Sequence, residues 1–348
     1  MRRVLDFVHV GDYKTGTTWL QNTVFPFHPE IQYLGDPMLS FNQEKVLREL
    51  VDIRDLDFEP VKLHTQFKES FARDDKKIVG ISREALSQSN FITGENAKRN
   101  AERIRLVFGE VKVVYTIRSQ QTMLTSIYSE YLKSGGTRSF NDWFLDPIEC
   151  KGIIERLKYD KNIKMYHDIF GKENVIVLLF EELVSDKKCF LEKLLSFIGC
   201  SNSQYVFQEM DNKINTSLTS YGATASKILN KFVRNMYHNK MSTSFWIDKI
   251  FYKLAPISIL NKDKIDKLTK SVIIPSYGDL DRRQRILFYI NVGLFNKIRS
   301  LSEKISLGKK IEVKGEAIDK IMPLFIESNC RLKNLYDLEI DKYGWRIN

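Results

Sequence analysis

A chain of 348 residues, 43% hydrophobic and 28% charged, is long enough to bury a sizeable core without staples. Its four cysteines, Cys150, Cys189, Cys200 and Cys330, form no C-x-x-C pair, which argues against a zinc site or a disulfide framework. No run of about 18 apolar residues reads as a membrane span, and the net charge of +10 favours anionic partners without naming them.

The opening MRRVLDFVHV places two arginines before a short apolar run, the outline of a signal peptide. The run ends after Val10 with no small-residue cleavage site, so residues 4–10 are expected as a buried first strand and the compartment as the cytoplasm. A glycine-containing loop follows, then an apolar-periodic helix from about Thr15 to Phe25. The β-branched runs 78–82 and 111–117 predict buried strands, with helical spacing over 96–108 between them. Another helix ends at Gly171, before a strand at 174–180. Strands alternating with helices imply an α/β fold with a parallel sheet covered on both faces, its ligands beyond the carboxyl ends of the strands. From Asp186 onward the pattern is helical: 187–198, 224–236, 244–254, 262–270, 282–305 and 315–336. With no repeat, low-complexity tract or linker, residues 1–348 are expected as a single domain, with 226–310 a helical insertion or lid.

The segment Gly11-Asp-Tyr-Lys14-Thr15-Gly16-Thr17-Thr18-Trp19-Leu20 lies between the first strand and first helix. Backbone N–H groups and the positive end of a helix dipole bind phosphate at such a junction. Gly11 and Gly16 permit the tight turn, and Thr17 and Thr18 add hydroxyl donors. The glycine spacing matches the start of a nucleoside-triphosphate loop, but that loop needs Lys and then Ser or Thr directly after the second glycine. Here Thr17 follows Gly16 and the lysine is Lys14, from which an ammonium reaches the end of a phosphate chain without a metal. Farther on, Arg118 ends the strand 111–117 and Ser126 lies eight residues later on the next helix, so that a forked arginine donor and a hydroxyl converge on one phosphate.

With Lys14–Leu20 and the Arg118/Ser126 pair, the sequence resembles the sulfotransferases that use 3′-phosphoadenosine 5′-phosphosulfate (PAPS), closer to the carbohydrate-modifying branch and its bacterial members. The resemblance implies a P-loop-like parallel sheet flanked by helices, with additional C-terminal helices. It implies that Lys14, Thr15, Gly16, Thr17, Thr18 and Trp19 hold the 5′-phosphosulfate, that Arg118 and Ser126 hold the 3′-phosphate, and that no metal is needed. Tyr13 and Gln120 stand where many members have proline. Further likeness lies in the F-G-x-E-N turn and strand within 159–183 and in the tail SNCRLKNLYDLEIDKYGW; it covers about 1–225 and 320–348.

Sulfuryl transfer needs a base for the acceptor proton and a cation for the bridging oxygen. Lys14 supplies the cation. The resemblance to the carbohydrate branch, through His28-Pro29-Glu30-Ile31, implies Asp36 as the base, although that branch usually carries glutamate. Asp36 reads equally as a turn residue before Pro37. Glu84, just after the strand 78–82, is a second candidate as base or acceptor ligand, or else the partner of Arg83. His64 resembles the base of the small-molecule branch only in type. Between Ser226 and Lys270 ten Lys or Arg face three Asp, most of the chain's excess charge. With the aromatic residues of SFWIDKIFYKLAPISIL, this stretch is expected to favour an anionic or sugar-containing acceptor and peripheral membrane contact. No recognition motif accompanies the charge, so nucleic acid is not expected. The competing readings are a phosphotransferase with a degenerate nucleotide loop and a non-catalytic basic adaptor at a membrane surface.

Overall fold

The computed structural model describes residues 3–88, 96–201, 223, 224, 227 and 311–348. Their β-branched runs form a five-stranded sheet of β1 (Phe7–His9), β2 (Ile31–Tyr33), β3 (Ile78–Ser82), β4 (Lys112–Ile117) and β5 (Val175–Leu179). All pairings are parallel and the order is β2-β3-β1-β4-β5, with β1 central. Phe7 pairs with Gly80 and Lys112, and His9 with Ser82 and Val114, so β1 and β3 end level and β4 runs three residues further, to Ile117. Gly80 is required by close approach, since a Cβ there would lie 2.0 Å from the Phe7 ring.

Alternation along the strands divides the core into two layers. Phe7, Val114 and Leu178 project to one face and pack with Leu20, Val24, Phe25, Leu183, Leu191 and Leu194. These come from the helix after β1, from α9 (Phe180–Ser185) and from α10 (Lys187–Ile198). On the other face Tyr115 meets Tyr166 of α8 (Tyr159–Phe170), their rings 5.3 Å apart. There α8 packs on β4, β5 and α4 (Ala97–Phe108). Two further helices, α2 (Phe41–Asp52) and α3 (Pro60–Glu69), pack on α4. A Ser40/Gln43 capping box starts α2, and Pro60 opens α3.

Several expectations are redrawn. The helix of 15–25 is a single α turn, α1 (Thr17–Trp19), running into a π-helical segment, Leu20–Val24. Strand β2 and helices α2 and α3 were not expected. The helix of 315–336 is broken at Pro323 into α11 (Glu316–Ile321), a 3₁₀ turn (Met322–Phe325) and α12 (Ile326–Tyr336), because proline has no N–H to continue the ladder. The helices expected over 224–236, 244–254, 262–270 and 282–305 lie outside the described residues, apart from Thr224 and Lys227. α5 (Gln120–Lys133), α6 (Phe140–Phe144) and α7 (Pro147–Arg156) complete the described helices. The chain divides into two units: Met1–Leu124 with Asn141–Ile214 and Val313–Asn348, and Thr125–Phe140 with Asn215–Glu312. No helix among the described residues is long and apolar enough to cross a membrane. All four cysteines are free thiols.

Candidate active site

The carboxyl ends of β1, β3 and β4 carry the loop Gly11–Gly16. Its first residues extend the pairing with β4: the Asp12 N–H donates to Thr116 O at 2.8 Å and the Thr116 N–H to Gly11 O at 3.2 Å. Beyond them the backbone reverses through positive φ at Lys14 (65°) and Gly16 (86°). A non-glycine residue keeps that conformation only where its surroundings fix it. The fixing contacts are visible, since the Thr15 hydroxyl donates to Asp12 O and Arg118 Nη1 donates to Lys14 O at 3.0 Å. The carbonyls of Gly11, Asp12 and Lys14 are thereby engaged, while the N–H groups of Gly16, Thr17 and Thr18 find no backbone acceptor among the described residues. A concavity of successive N–H groups at a helix start is an anion site. Gly16 is held on its other side by Leu183, whose Cδ2 would lie 2.5 Å from an added Cβ. Trp19 packs against the core beside Lys187, whose Nζ is 5.7 Å from the ring centre.

Arg118 follows β4 directly. Its Nε donates to Thr122 Oγ1 at 3.0 Å, and its guanidinium lies 4.4 Å from the Phe180 ring centre. Burial lowers its pKa, opposed by Glu181 and Tyr159, and the group remains a cation. The surrounding backbone is pinned: Tyr159 Oη donates to Arg118 O at 2.9 Å, and the Ser119 N–H to Glu181 Oε1 at 2.9 Å. Gln120, in the place of the expected proline, donates to Asn329 Oδ1 of α12 at 2.7 Å and accepts from Asn329 Nδ2 at 3.3 Å. This buried amide pair ties the tail resemblance to the start of α5. Ser126 is half-buried on the second turn of α5 and belongs to the other unit.

The acidic candidates stand at the same strand ends in different settings. Glu84 follows β3 and lies under the loop, its Cγ 3.2 Å from where a Gly11 Cβ would be. It accepts from the Thr17 hydroxyl at one oxygen and from Gln21 Nε2 at the other, the latter at 3.3 Å. It does not pair with Arg83. Arg83 is in extended backbone, so adjacent side chains diverge, and its guanidinium clasps both carboxylate oxygens of Glu44 and sits 3.8 Å from Asp36. Asp36 lies on the loop across the end of β3, where Tyr33 Oη donates to Asp36 O at 2.6 Å and a Gly35 Cβ would lie 2.7 Å from Ser82 N. Its side chain is 44% exposed. Burial raises its pKa, Arg83 opposes the rise, and the carboxylates of Glu44 and Glu84 add to it. His64 is elsewhere: Nδ1 meets Val107 O at 2.7 Å at the end of α4, next to the start of β4 and thus the amino ends of the strands. His28 is buried and contacts the Glu30 N–H at 3.3 Å, just before β2.

Two buried groups went unread in the sequence. His9 sits between Ser82 Oγ (2.7 Å from Nδ1) and Thr116 Oγ1 (3.4 Å from Nε2), and burial holds its pKa down to about 3. Gln21 joins this chain to Glu84 by donating to Ser82 Oγ at 3.2 Å. The imidazole is therefore neutral, part of a polar floor beneath the loop. The second group is Asp12, paired with Arg156 of α7. A histidine inside an otherwise apolar strand, and an acid inside a phosphate loop, were the available signals.

The family model described as "Sulfotransferase domain" matches residues 6–245, more than half of the chain. The chain belongs to the sulfotransferase family, whose members take their sulfuryl group from PAPS. Among solved structures, a sulfotransferase from Alicyclobacillus acidocaldarius is similar with TM-score 0.45 and 17% identity, over 62% of this chain and 87% of that one. The sulfotransferase domain of the Synechococcus PCC 7002 olefin synthase gives 0.36 and 13%, over 78% and 95%. A mouse sulfotransferase complexed with PAP gives 0.35 and 12%, over 94% and 90%. No curated protein sequence matches the chain.

Proposed function

We propose that this sulfotransferase uses PAPS to sulfate a hydroxyl or amine of a carbohydrate or glycolipid acceptor, with Lys14 as the charge-stabilising cation and Asp36 as the base. The observation that carries the donor half is the loop, where N–H groups of Gly16, Thr17 and Thr18 converge beside Lys14 and one hydrogen bond from Arg118. In this reading the loop residues Lys14 to Trp19 take the phosphosulfate, and Arg118 takes the 3′-phosphate. The acceptor oxygen attacks sulfur and loses its proton to Asp36. The bond from sulfur to the bridging phosphate oxygen breaks, and Lys14 balances the charge that gathers there. Two facts favour Asp36 over Glu84 as base. Its carboxylate is half-open with raised basicity, whereas both Glu84 oxygens hold Thr17 and Gln21. Glu84 then acts as an orienting group for the loop.

The carbohydrate or glycolipid acceptor is favoured by the His28-Pro29-Glu30-Ile31 resemblance and by the basic stretch 226–270, which supports an anionic or membrane-borne acceptor. Adenosine 3′,5′-bisphosphate (PAP) binding, measured by calorimetry without a divalent metal and set against ATP with magnesium, tests the donor half. Preference for ATP–magnesium would refute it. Transfer of labelled sulfate from PAPS to a panel of oligosaccharides, glycolipids and phenols tests the acceptor half, and turnover confined to phenols would refute it.

A further inference from the structure

We infer that Asp12, held by Arg156 and Gln88, is a positioning residue that sets the phosphate loop in its donor-ready shape before the donor arrives. The inference rests on the reading of that loop as the donor site. Asp12 lies inside the loop, two residues before Lys14, yet its carboxylate turns inward. Its Oδ1 accepts three hydrogen bonds at 2.7 Å each, from the Tyr13 N–H, Gln88 Nε2 and Arg156 Nη2. The three donors come from the loop itself, the segment after β3, and α7. The ion pair is fully enclosed, with side-chain exposures of 0% for Arg156 and 2% for Asp12.

Stability alone does not account for this arrangement. The desolvation of a buried ion pair offsets its attraction, and apolar replacements often hold a fold as well. A pair built for strength offers both carboxylate oxygens to the guanidinium fork. Here Oδ2 is buried with no partner, while Oδ1 carries every bond. The bond that fixes this one-sided geometry is the Tyr13 N–H, which sets the peptide between Asp12 and Tyr13. That peptide decides where the chain points as it enters the positive-φ residue Lys14. With the Thr15 hydroxyl on Asp12 O and Arg118 on Lys14 O, the loop carbonyls face inward and the N–H groups at the helix start stay open. The pair sits among the buried phenols Tyr115, Tyr159 and Tyr166, each raised in pKa by burial first and by the Asp12 charge second.

Three variants separate positioning from support: Asp12→Leu, which removes the acceptor as well as the charge, Arg156→Met and the two combined. Each is measured by thermal melting, PAP calorimetry and PAPS kinetics. Asp12→Leu leaves the Arg156 charge unmatched, lowers Tm, and lowers kcat/KM for PAPS by about a hundredfold, the scale of a misplaced reacting group. The double variant removes both charges and regains Tm, while the PAPS defect and the weakened PAP binding persist. Recovery of PAP affinity and kcat/KM together with Tm would overturn the proposal, because the pair would then be support only. Should the double variant not fold, Gln88→Leu removes one of the three bonds without unbalancing charge. It is expected to weaken PAP binding about tenfold at near-native Tm, and unchanged binding overturns the proposal equally. Failure of the unaltered chain to bind PAP would remove the donor-site reading itself.

Discussion

The two sides of the strand ends are built differently. On the donor side the loop is clamped from within: each bend is tied by a buried or half-buried partner, and Lys14 is held in a backbone conformation it would not choose alone. On the acceptor side the charges form a looser group, with Asp36 3.8 Å from an Arg83 that gives its short bonds to Glu44. Burial of Arg83 disfavours its charge, yet the hydrogen bond and charge of Glu44, with Asp36, raise its pKa overall. A donor shared across a family rewards a rigid cradle, whose ordering is complete before binding. An acceptor side is where chemistry must remain adjustable, and a carboxylate with raised pKa is suited to taking a proton there.

The sharpest break between the sides is the base. Asp36→Asn is expected to lower kcat by about 10²–10⁴ with PAP affinity retained. Glu84→Gln is expected to act mainly on PAP affinity, since Glu84 grips Thr17. Calorimetry and single-turnover kinetics distinguish the two, and a reversal of these roles would make Glu84 the base. The pH profile adds a sign. A base works deprotonated, so activity falls as pH drops through the raised pKa of Asp36, and the acid limb lies above that of an unperturbed aspartate. Protonation is favoured in the folded state, so the same shift makes this group's contribution to stability decline as pH rises through that window. Burial and the neighbouring Glu44 and Glu84 charges raise the limb, and neutralising Glu84 moves it down.

Next in size is Lys14→Ala, expected to cost about 10²–10³ in kcat while PAP affinity changes far less, since charge on the bridging oxygen grows in the transition state. A change confined to KM would make Lys14 a binding residue only. Arg118→Ala is expected to remove most of the preference for PAP over AMP, by about tenfold to a hundredfold for a lost charged hydrogen bond. Because Arg118 also holds Lys14 O, a smaller loss in kcat accompanies it. Equal weakening of PAP and AMP would take the 3′-phosphate away from Arg118.

The same contrast decides what was legible in the sequence. The runs 78–82 and 111–117 announce β3 and β4 because each is apolar, β-branched and buried on both faces. Lys14, Thr17 and Arg118 are legible because their chemistry is local: a loop, a helix start, a strand end. β2 is three residues, Ile31–Tyr33, flanked by His-Pro-Glu and Leu-Gly-Asp, and reads as a turn until β3 pairs with it. Asp12 gives no local sign of burial, since its partner lies 144 residues away. His9 looks like any strand residue until Ser82 and Thr116 arrive on both sides. The break at Pro323 was readable from proline chemistry, and the periodic apolar residues around it masked it.

The smallest expected effect concerns the basic stretch 226–270, which the proposed function assigns to the acceptor. Residues 226–270 hold ten Lys or Arg against three Asp, and neither of the two phosphate sites uses them. Charge clustered in sequence acts chiefly on encounter: it raises the local concentration and on-rate of an anionic substrate, and salt screens it over about 8–10 Å near physiological ionic strength. Replacing Lys249, Lys253, Lys262 and Lys264 by Gln is therefore expected to raise KM for an anionic acceptor severalfold at low salt. The difference from the unaltered enzyme should shrink as salt approaches about 0.5 M, while kcat and PAP affinity stay unchanged. The pattern separates this stretch from the donor cradle, where a lost cation costs rate at any ionic strength. Acceptor KM measured across a salt series, with a neutral oligosaccharide as control, reads it directly. Identical KM values for both proteins at low salt would show that the stretch takes no part in holding the acceptor and would leave the acceptor side to Asp36, Arg83 and their neighbours alone.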